Sequence, residues 1–287
     1  IYCFFLLINL IKHKEFLLFS FQQNLFAAII SKILSVNLII RLNTSPNKYI
    51  NNYYQKIIFK TIYKFANEIV VNSKDFKKNL KKKLDIKSSY IYNPIIVNKK
   101  FRKKPKKITK DLKILNIGRL TDQKDHMTLL RSLKLLKESN IKFTASIIGG
   151  GYKYDALKEY IKTNQLQKEI KLLGYKKNAY KFMDNANLFV LSSKYEGLPN
   201  VLIEAQKYNL PIISTNCPTG PKEILLNGKL GDLYPVSDHK KLFYRIKKFY
   251  FNQKHLIKKS NHSQKYLYRF NAKVNCIKYL SIVTKYV

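Results

Sequence analysis

Acid is the scarcest charge in this chain. Among 287 residues, 17 are Asp or Glu and 55 are Lys or Arg, a formal net charge of +38. Arginine is scarce as well, standing only at 41, 102, 119, 131, 245 and 269. That shortage argues against a reader of nucleic-acid sequence, which leans on the bidentate guanidinium fork. The lysines are spread along the whole chain, so most of them read as solvated surface. A lysine-rich surface also suits attraction to anionic lipid or to an anionic substrate. Cysteine occurs three times, at 3, 217 and 276, with no Cys-x-x-Cys. That excludes a disulfide framework and fits a reducing compartment. The five histidines lack metal-ligand spacing and there is no Asp-x-Asp, so no protein-bound metal and no cofactor are expected. The apolar opening "IYCFFLLINLI" meets Lys12 after 11 residues. This is short of the about 20 that a spanning helix needs, and it reads as a buried helix.

Hydrophobic residues make up 46% of the chain, which sets it apart from disordered polyelectrolytes, and the length allows two domains. Short apolar runs alternate with amphipathic segments, the pattern of α/β units on parallel strands. In the first third, strands are expected at 16–21, 36–40, 68–73 and 89–95, with helices at 23–34 and from Pro46 to about 67. Ser73 is placed to cap a lysine-rich helix. The polar run "NKKFRKKPKKITKD" (98–111) reads as a linker. Beyond it, strands at 112–118, 143–151, 169–173, 187–193 and 211–215 alternate with helices at 124–138, 153–164 and 178–184. Further helices are expected from about Pro199, after Pro221 and from Asp238. The expected division is a partial N-terminal domain over 1–97, the linker over 98–111 and a second domain over 112–265. A C-terminal helix over 266–287 is placed to pack back on the first domain. Such doubly wound sheets bind ligands at the C-terminal ends of their strands.

Three strand-to-helix turns carry unusual residues. In "GRLTDQKDH" (118–126), Gly118 ends a strand, and Arg119 and Lys124 flank the next helix. Two cations at a strand C-terminus suit a phosphate or diphosphate. In "IIGGGYKYD" (147–155), three glycines with Gly150 at their centre allow close approach of backbone, to a ligand or within a tight turn. In "EGLPNVLIE" (196–204), a helix starting near Pro199 offers its free N–H groups to an anion. Glu196 lies before that helix, and Glu204 lies roughly 7 Å into it. Gly197 removes a side chain where the backbone would meet a ligand, and a carboxylate is suited to a vicinal diol. The layout matches a ribose diol, a diphosphate and sugar hydroxyls. Two solvated glutamates on a capped helix are the plainer alternative for each feature alone. The turn "CPTGPKEILLNGKLG" (217–231) reads as ordinary helix-start chemistry around Glu223.

Taken together, "NIGRLTDQKD", "FVLSSKYEGLPNVLIEA" and "CPTGPKEIL" resemble the family-4 glycosyltransferases of the GT-B fold. The similarity is greatest to bacterial enzymes that extend lipid-linked or cell-surface glycans. It is strong over about 112–240 and weak over 14–97. The resemblance implies an α/β protein of two Rossmann-like doubly wound domains. It implies metal-independent transfer, with retention, of a sugar from a nucleotide-diphosphate sugar, a UDP-sugar being the expected donor. By the same resemblance, Arg119 and Lys124 stabilise the leaving diphosphate, Glu196 binds hydroxyls of the donor sugar and Glu204 binds the ribose. Gly118, Gly150, Gly197 and the backbone of Leu198, Pro199, Asn200 and Val201 complete the donor site. The partners implied are a nucleotide sugar and a glycan or lipid-linked acceptor, with peripheral contact to anionic membrane at the cytoplasmic face and no nucleic acid. The family's first strand, glycine-rich turn and helix have no counterpart before "IYCFF". The first domain is therefore expected to be incomplete, with an unpaired side to its sheet. "RLNTSP" (41–46) makes Arg41 and Asn43 the acceptor-side candidates. Nucleotide-sugar epimerases share the fold, and an inactive gene fragment is the non-enzymatic alternative.

Overall fold

The computed structural model describes residues 17–21, 24–43, 53–96 and 111–286. The apolar opening, the segment 44–52 and the linker apart from Asp111 lie outside them. Two compact units emerge, one from residues 1–96 with 269–287 and the other from 97–268.

In the first unit, strands β1 (Leu18–Ser20), β2 (Leu38–Leu42), β3 (Glu68–Val71) and β4 (Ser89–Tyr90) lie side by side in chain order. Every pairing is parallel. Helices α1 (Asn24–Leu34), α2 (Tyr53–Tyr63) and α3 (Lys74–Leu84) make the crossovers. Parallel strands are buried on both faces, which is why β2, "LIIRL", is apolar on both faces except at the buried Arg41. Helix α3 shows how a sequence that is mostly lysine still folds: Phe76, Leu80 and Leu84 recur on one face and are buried. The Ser73 hydroxyl caps it by accepting from the Phe76 N–H at 3.1 Å. The expected strand over 89–95 shrinks to Ser89–Tyr90, and only Ile95 bridges again, to Asn271. From the end of the chain, α10 (Ala272–Val283) brings Ile282 against Ile39, Val70 and Ile91.

The second unit is a six-stranded sheet of β5 (Leu112–Ile117), β6 (Phe143–Ile148), β7 (Ile170–Leu172), β8 (Leu188–Leu191), β9 (Ile212–Thr215) and β10 (Asp232–Tyr234). Their order is β10-β9-β8-β5-β6-β7, all parallel. The chain runs outward from β5 through β6 and β7. It then returns to the other side of β5 for β8, β9 and β10. The strand order therefore reverses between β5 and β8, the point at whose C-terminal side doubly wound sheets hold their ligands. Around the sheet stand α4 (His126–Glu138), α5 (Tyr154–Thr163), α6 (Asn200–Lys207), α7 (Pro221–Ile224), α8 (His239–Phe251) and α9 (Gln253–Ser263). Leu129, Leu133 and Leu136 of α4 join Leu242 and Ile246 of α8 over Ile114 and Ile213 in one apolar core.

Among the boundaries of this unit that differ from expectation, three lie beside turns. The helix expected over 124–138 breaks at Asp125, which is left-handed (φ 46°) between a 3-10 turn (Asp122–Lys124) and α4. Aspartate tolerates that region when its carboxylate bonds nearby, and here it accepts from the Thr128 hydroxyl at 2.8 Å and the Ser237 hydroxyl at 2.7 Å. The strand over 143–151 stops at Ile148, because Gly149 turns to φ +149°. The expected helix over 178–184 is a 3-10 stretch (Ala179–Asn185).

His126, at the start of α4, is 2% exposed, and both its ring nitrogens lack a partner. Burial, helped by the Lys124 charge, lowers its pKa to about 4. Between about pH 6.5 and 4 the unfolded chain binds this proton and the folded one does not, so stability is lost as pH is lowered through that window. Above it the contribution is fully present. We expect wild type to lose on the order of 3 kcal/mol more than His126→Phe between pH 7 and 4. Urea unfolding at several pH values checks this, and parallel pH profiles would contradict it.

Candidate active site

The reversal of strand order brings together two turns that are distant in sequence. After β5, the backbone passes Gly118, Arg119 and Leu120 into the 3-10 turn carrying Lys124. After β8, the buried Ser192 and Ser193 lead into the loop that precedes α6. The two turns are stitched at three points. The Ser192 hydroxyl donates to the Lys124 carbonyl at 2.8 Å, the Lys194 N–H donates to the Gln123 carbonyl at 2.8 Å, and the Gln123 amide donates to the Tyr195 carbonyl at 3.0 Å.

At the centre, Lys124 Nζ meets Glu196 Oε1 at 2.6 Å, with side-chain exposures of 16% and 7%. The Ser193 hydroxyl donates to the same carboxylate oxygen at 2.6 Å. Two charges held this far from water are costly unless paired and hydrogen-bonded, and both conditions are met. Gly118 leaves room for the lysine stem, whose Cδ lies 3.4 Å from where a Cβ would stand. Sequence alone placed Lys124 and Arg119 as cations opposite the glutamates. The structure pairs Lys124 with Glu196 directly and leaves Arg119 exposed at the rim of the same turn.

Helix α6 begins at Asn200, one residue later than the sequence indicated, and Pro199 is its N-cap with no side-chain acceptor to offer. Its first turn includes Val201, and helix starts leave N–H groups outside the helical ladder with a partial positive charge behind them. Gly197, Leu198 and Pro199 are buried just before it. Glu204, four residues in, is half-buried. Desolvation raises its pKa, with Lys207 opposing. Hydrogen bonds from a diol would favour its ionised form.

The flank next to β9 is closed by the 217–220 loop. The Thr219 hydroxyl donates to the Glu196 carbonyl, and the Glu196 N–H to the Pro218 carbonyl at 3.4 Å. Gly220 is left-handed (φ +87°), and a Cβ there would stand 2.5 Å from the Gly197 carbonyl oxygen. Its glycine is thus required by packing as well as by helix-start chemistry. Cys217 is buried here; burial pushes its thiol up, the Glu196 charge adds to that and Lys124 opposes it.

The glycines after β6 divide by role. A Cβ on Gly149 would lie 1.9 Å from the Gly118 carbonyl oxygen, and one on Gly151 2.3 Å from that of Leu120. These two are glycine because the β5 and β6 loops press together, as the Leu120 N–H to Gly150 carbonyl bond of 2.9 Å also shows. Gly150 has no atom within 4 Å of a would-be Cβ and is the one with open space beside it. The roles of Ser193, Gln123 and Thr219 were not read from sequence. The only signal was Ser193-Lys-Tyr-Glu196, a capping-box spacing that here forms no helix.

In the first unit Arg41 is buried. Its guanidinium donates to the side-chain oxygens of Asn43, at 3.0 Å, and of Asn93, and it lies 5.2 Å from the Tyr279 ring centroid. Burial lowers its pKa to about 10. Among the described residues no group of three His, Cys, Asp or Glu is placed to hold a metal ion, and no helix is long and apolar enough to cross a membrane.

The family model described as glycosyl transferases group 1 matches residues 97–268. An uncharacterized glycosyltransferase of Methanocaldococcus jannaschii is 39% identical over 64% of this chain and 48% of its own length. The N-acetylgalactosamine-N,N'-diacetylbacillosaminyl-diphospho-undecaprenol 4-alpha-N-acetylgalactosaminyltransferase of Campylobacter jejuni is 31% identical over 69% of this chain and 54% of its own length. The match therefore spans about half the length of these curated relatives. Anabaena HepE, crystallised with UDP, superposes with a TM-score of 0.82 at 16% identity, over 99% of this chain and 82% of HepE. The fold is the GT-B architecture with two Rossmann-like domains. The chain belongs to the glycosyl transferases group 1.

Proposed function

We propose that this chain carries the donor site of a retaining, metal-independent glycosyltransferase that moves a sugar from a UDP-sugar to a lipid-linked or cell-surface glycan. The observation that carries the reading is the buried Lys124–Glu196 pair beside the start of α6. The reaction breaks the bond between the sugar's anomeric carbon and the β-phosphate oxygen. It forms a bond from that carbon to an acceptor hydroxyl, whose proton leaves with the diphosphate. Negative charge grows on the departing phosphate, where Arg119, Lys124 and the backbone N–H groups of Leu198, Asn200 and Val201 receive it. Stabilisation that strengthens as charge develops is what accelerates the step. Glu196 holds sugar hydroxyls and Glu204 the ribose diol. The second unit, near the notional bounds 112–265, binds the donor, and the first, near 1–97, serves the acceptor, with Arg41 and Asn43 as candidates.

The lipid-linked acceptor draws support from the undecaprenol-linked substrate in the name of the Campylobacter relative. Contact with an anionic membrane at its cytoplasmic face draws support from exposed Phe26, Ile29 and Ile33 along one side of α1, and from the lysines of α3. The test is a product assay on the protein containing this chain, with a UDP-sugar and a polyprenyl-diphosphate-linked glycan. Free UDP and a glycoside of unchanged anomeric configuration are expected. An isomerised UDP-sugar would make the protein an epimerase instead, and an inverted glycoside would overturn retention.

A further inference from the structure

One exposed aromatic ring stands beside this site in an unusual state. Tyr152, directly after the β6 glycines, is 69% exposed, yet its tip is fixed. Its hydroxyl donates to Asp122 Oδ2 at 2.8 Å and accepts from the Asp122 N–H at 3.1 Å. Lys153 Nζ meets the other Asp122 oxygen at 2.8 Å and lies 5.7 Å from the ring centroid. The bonds from Lys153 and Tyr152 hold the Asp122 carboxyl below the usual carboxylate range, so the anchor stays ionised. A surface tyrosine ordinarily swings freely, and freezing it would cost binding energy. This one is immobilised beforehand, and its anchor belongs to the same turn as Arg119 and Lys124.

We propose that Tyr152 is the platform on which the nucleobase of the donor stacks, with Asp122 as its positioning residue. The inference rests on the donor reading above. A diphosphate between Lys124 and the start of α6 has two directions in which to send its nucleoside. Toward β9 the way is shut by Thr219 and Gly220 against Glu196 and Gly197. Toward β6 lies the open space at Gly150, two residues before Tyr152, whose hydroxyl is tied to Asp122 in the turn that carries Lys124. A base presents a flat π-face to a tyrosine whatever its edge groups are.

Titration of the full chain with UDP and with pyrophosphate tests this. Tyr152→Ala is expected to raise the Kd for UDP by about tenfold or more and to leave that for pyrophosphate unchanged. Tyr152→Phe, which keeps the ring and loses the anchor, should fall between wild type and alanine. The uracil H5 and H6 resonances should shift upfield on binding wild type and not on binding Tyr152→Ala. An unchanged UDP Kd in Tyr152→Ala would overturn the proposal. So would an equal loss for pyrophosphate, or the whole effect passing to Tyr175→Ala, whose ring is 79% exposed after β7. If wild type binds no UDP while remaining folded, the donor reading fails and this inference fails with it. If Lys124→Ala weakens UDP and Tyr152→Ala does not, only the platform is lost.

Discussion

Lys124→Ala is expected to lower the rate of sugar transfer by about 10²–10³-fold, the typical cost of removing one group that stabilises charge growing in a transition state. The same change strands a buried carboxylate. Glu196 is 6% exposed, and without the ammonium Ser193 is the one partner left to its side chain among the described residues. Breaking a buried pair from one side destabilises by about 3 kcal/mol or more, so folding and catalysis would both suffer. A second variant separates them. Adding Glu196→Gln to Lys124→Ala removes the stranded charge and should restore much of the unfolding free energy while leaving transfer slow. Denaturant unfolding of wild type and the two variants beside steady-state rates reads both quantities. If the double variant regained activity along with stability, Lys124 would be a structural prop and no part of the chemistry.

Gly149→Ala should be as damaging, and entirely through the backbone. Its Cβ would fall 1.9 Å from the Gly118 carbonyl oxygen and 2.8 Å from the carbonyl carbon, at a φ of +149°. No rotamer relieves a clash between backbone atoms, so the β5 and β6 loops must part. Strained φ together with the lost loop contact places the cost at about 3 kcal/mol or more. Because the displaced loop carries Arg119 and Lys124, affinity for UDP should fall with it. Gly150→Ala is the internal control for stability. With no atom within 4 Å, it should unfold within about 0.5 kcal/mol of wild type. Equal stability of the two variants would mean that the loops do not pack as described.

Much of this was open to reading in the sequence, because it rests on local physics. Apolar runs such as "LKILNI" and "LFVL" mark strands buried on both faces, and the caps at Ser73 and Asp238 follow from side chains that accept nearby N–H groups. The spacing of Glu196, Pro199 and Glu204 around a helix start was likewise visible. What stayed hidden depends on approach between distant segments. Lys124 and Glu196 are 72 residues apart, and their contact follows from where the strand order reverses. Gly149 and Gly151 resemble ligand-loop glycines in sequence, and only the nearness of the β5 loop explains them. Asp125 and Thr128 have a helix-start spacing in sequence, but the second hydroxyl on the Asp125 carboxylate, that of Ser237, comes from beyond β10. Tyr152 and Asp122, 30 residues apart, read separately as two ordinary polar loop residues.

The loops after β5 and β8 are expected to bind a nucleoside diphosphate through Lys124, Arg119, Glu204 and the start of α6. Calorimetric titration of the chain with UDP tests it most directly. One site is expected, with a Kd raised about tenfold or more by Lys124→Ala or Arg119→Ala, since a hydrogen bond to a charged group is worth about 1.5–3 kcal/mol. Glu204→Ala is expected to weaken binding of UDP and to leave that of pyrophosphate unaffected. Absence of UDP binding by the folded wild-type chain, or binding that none of these three substitutions alters, would contradict it.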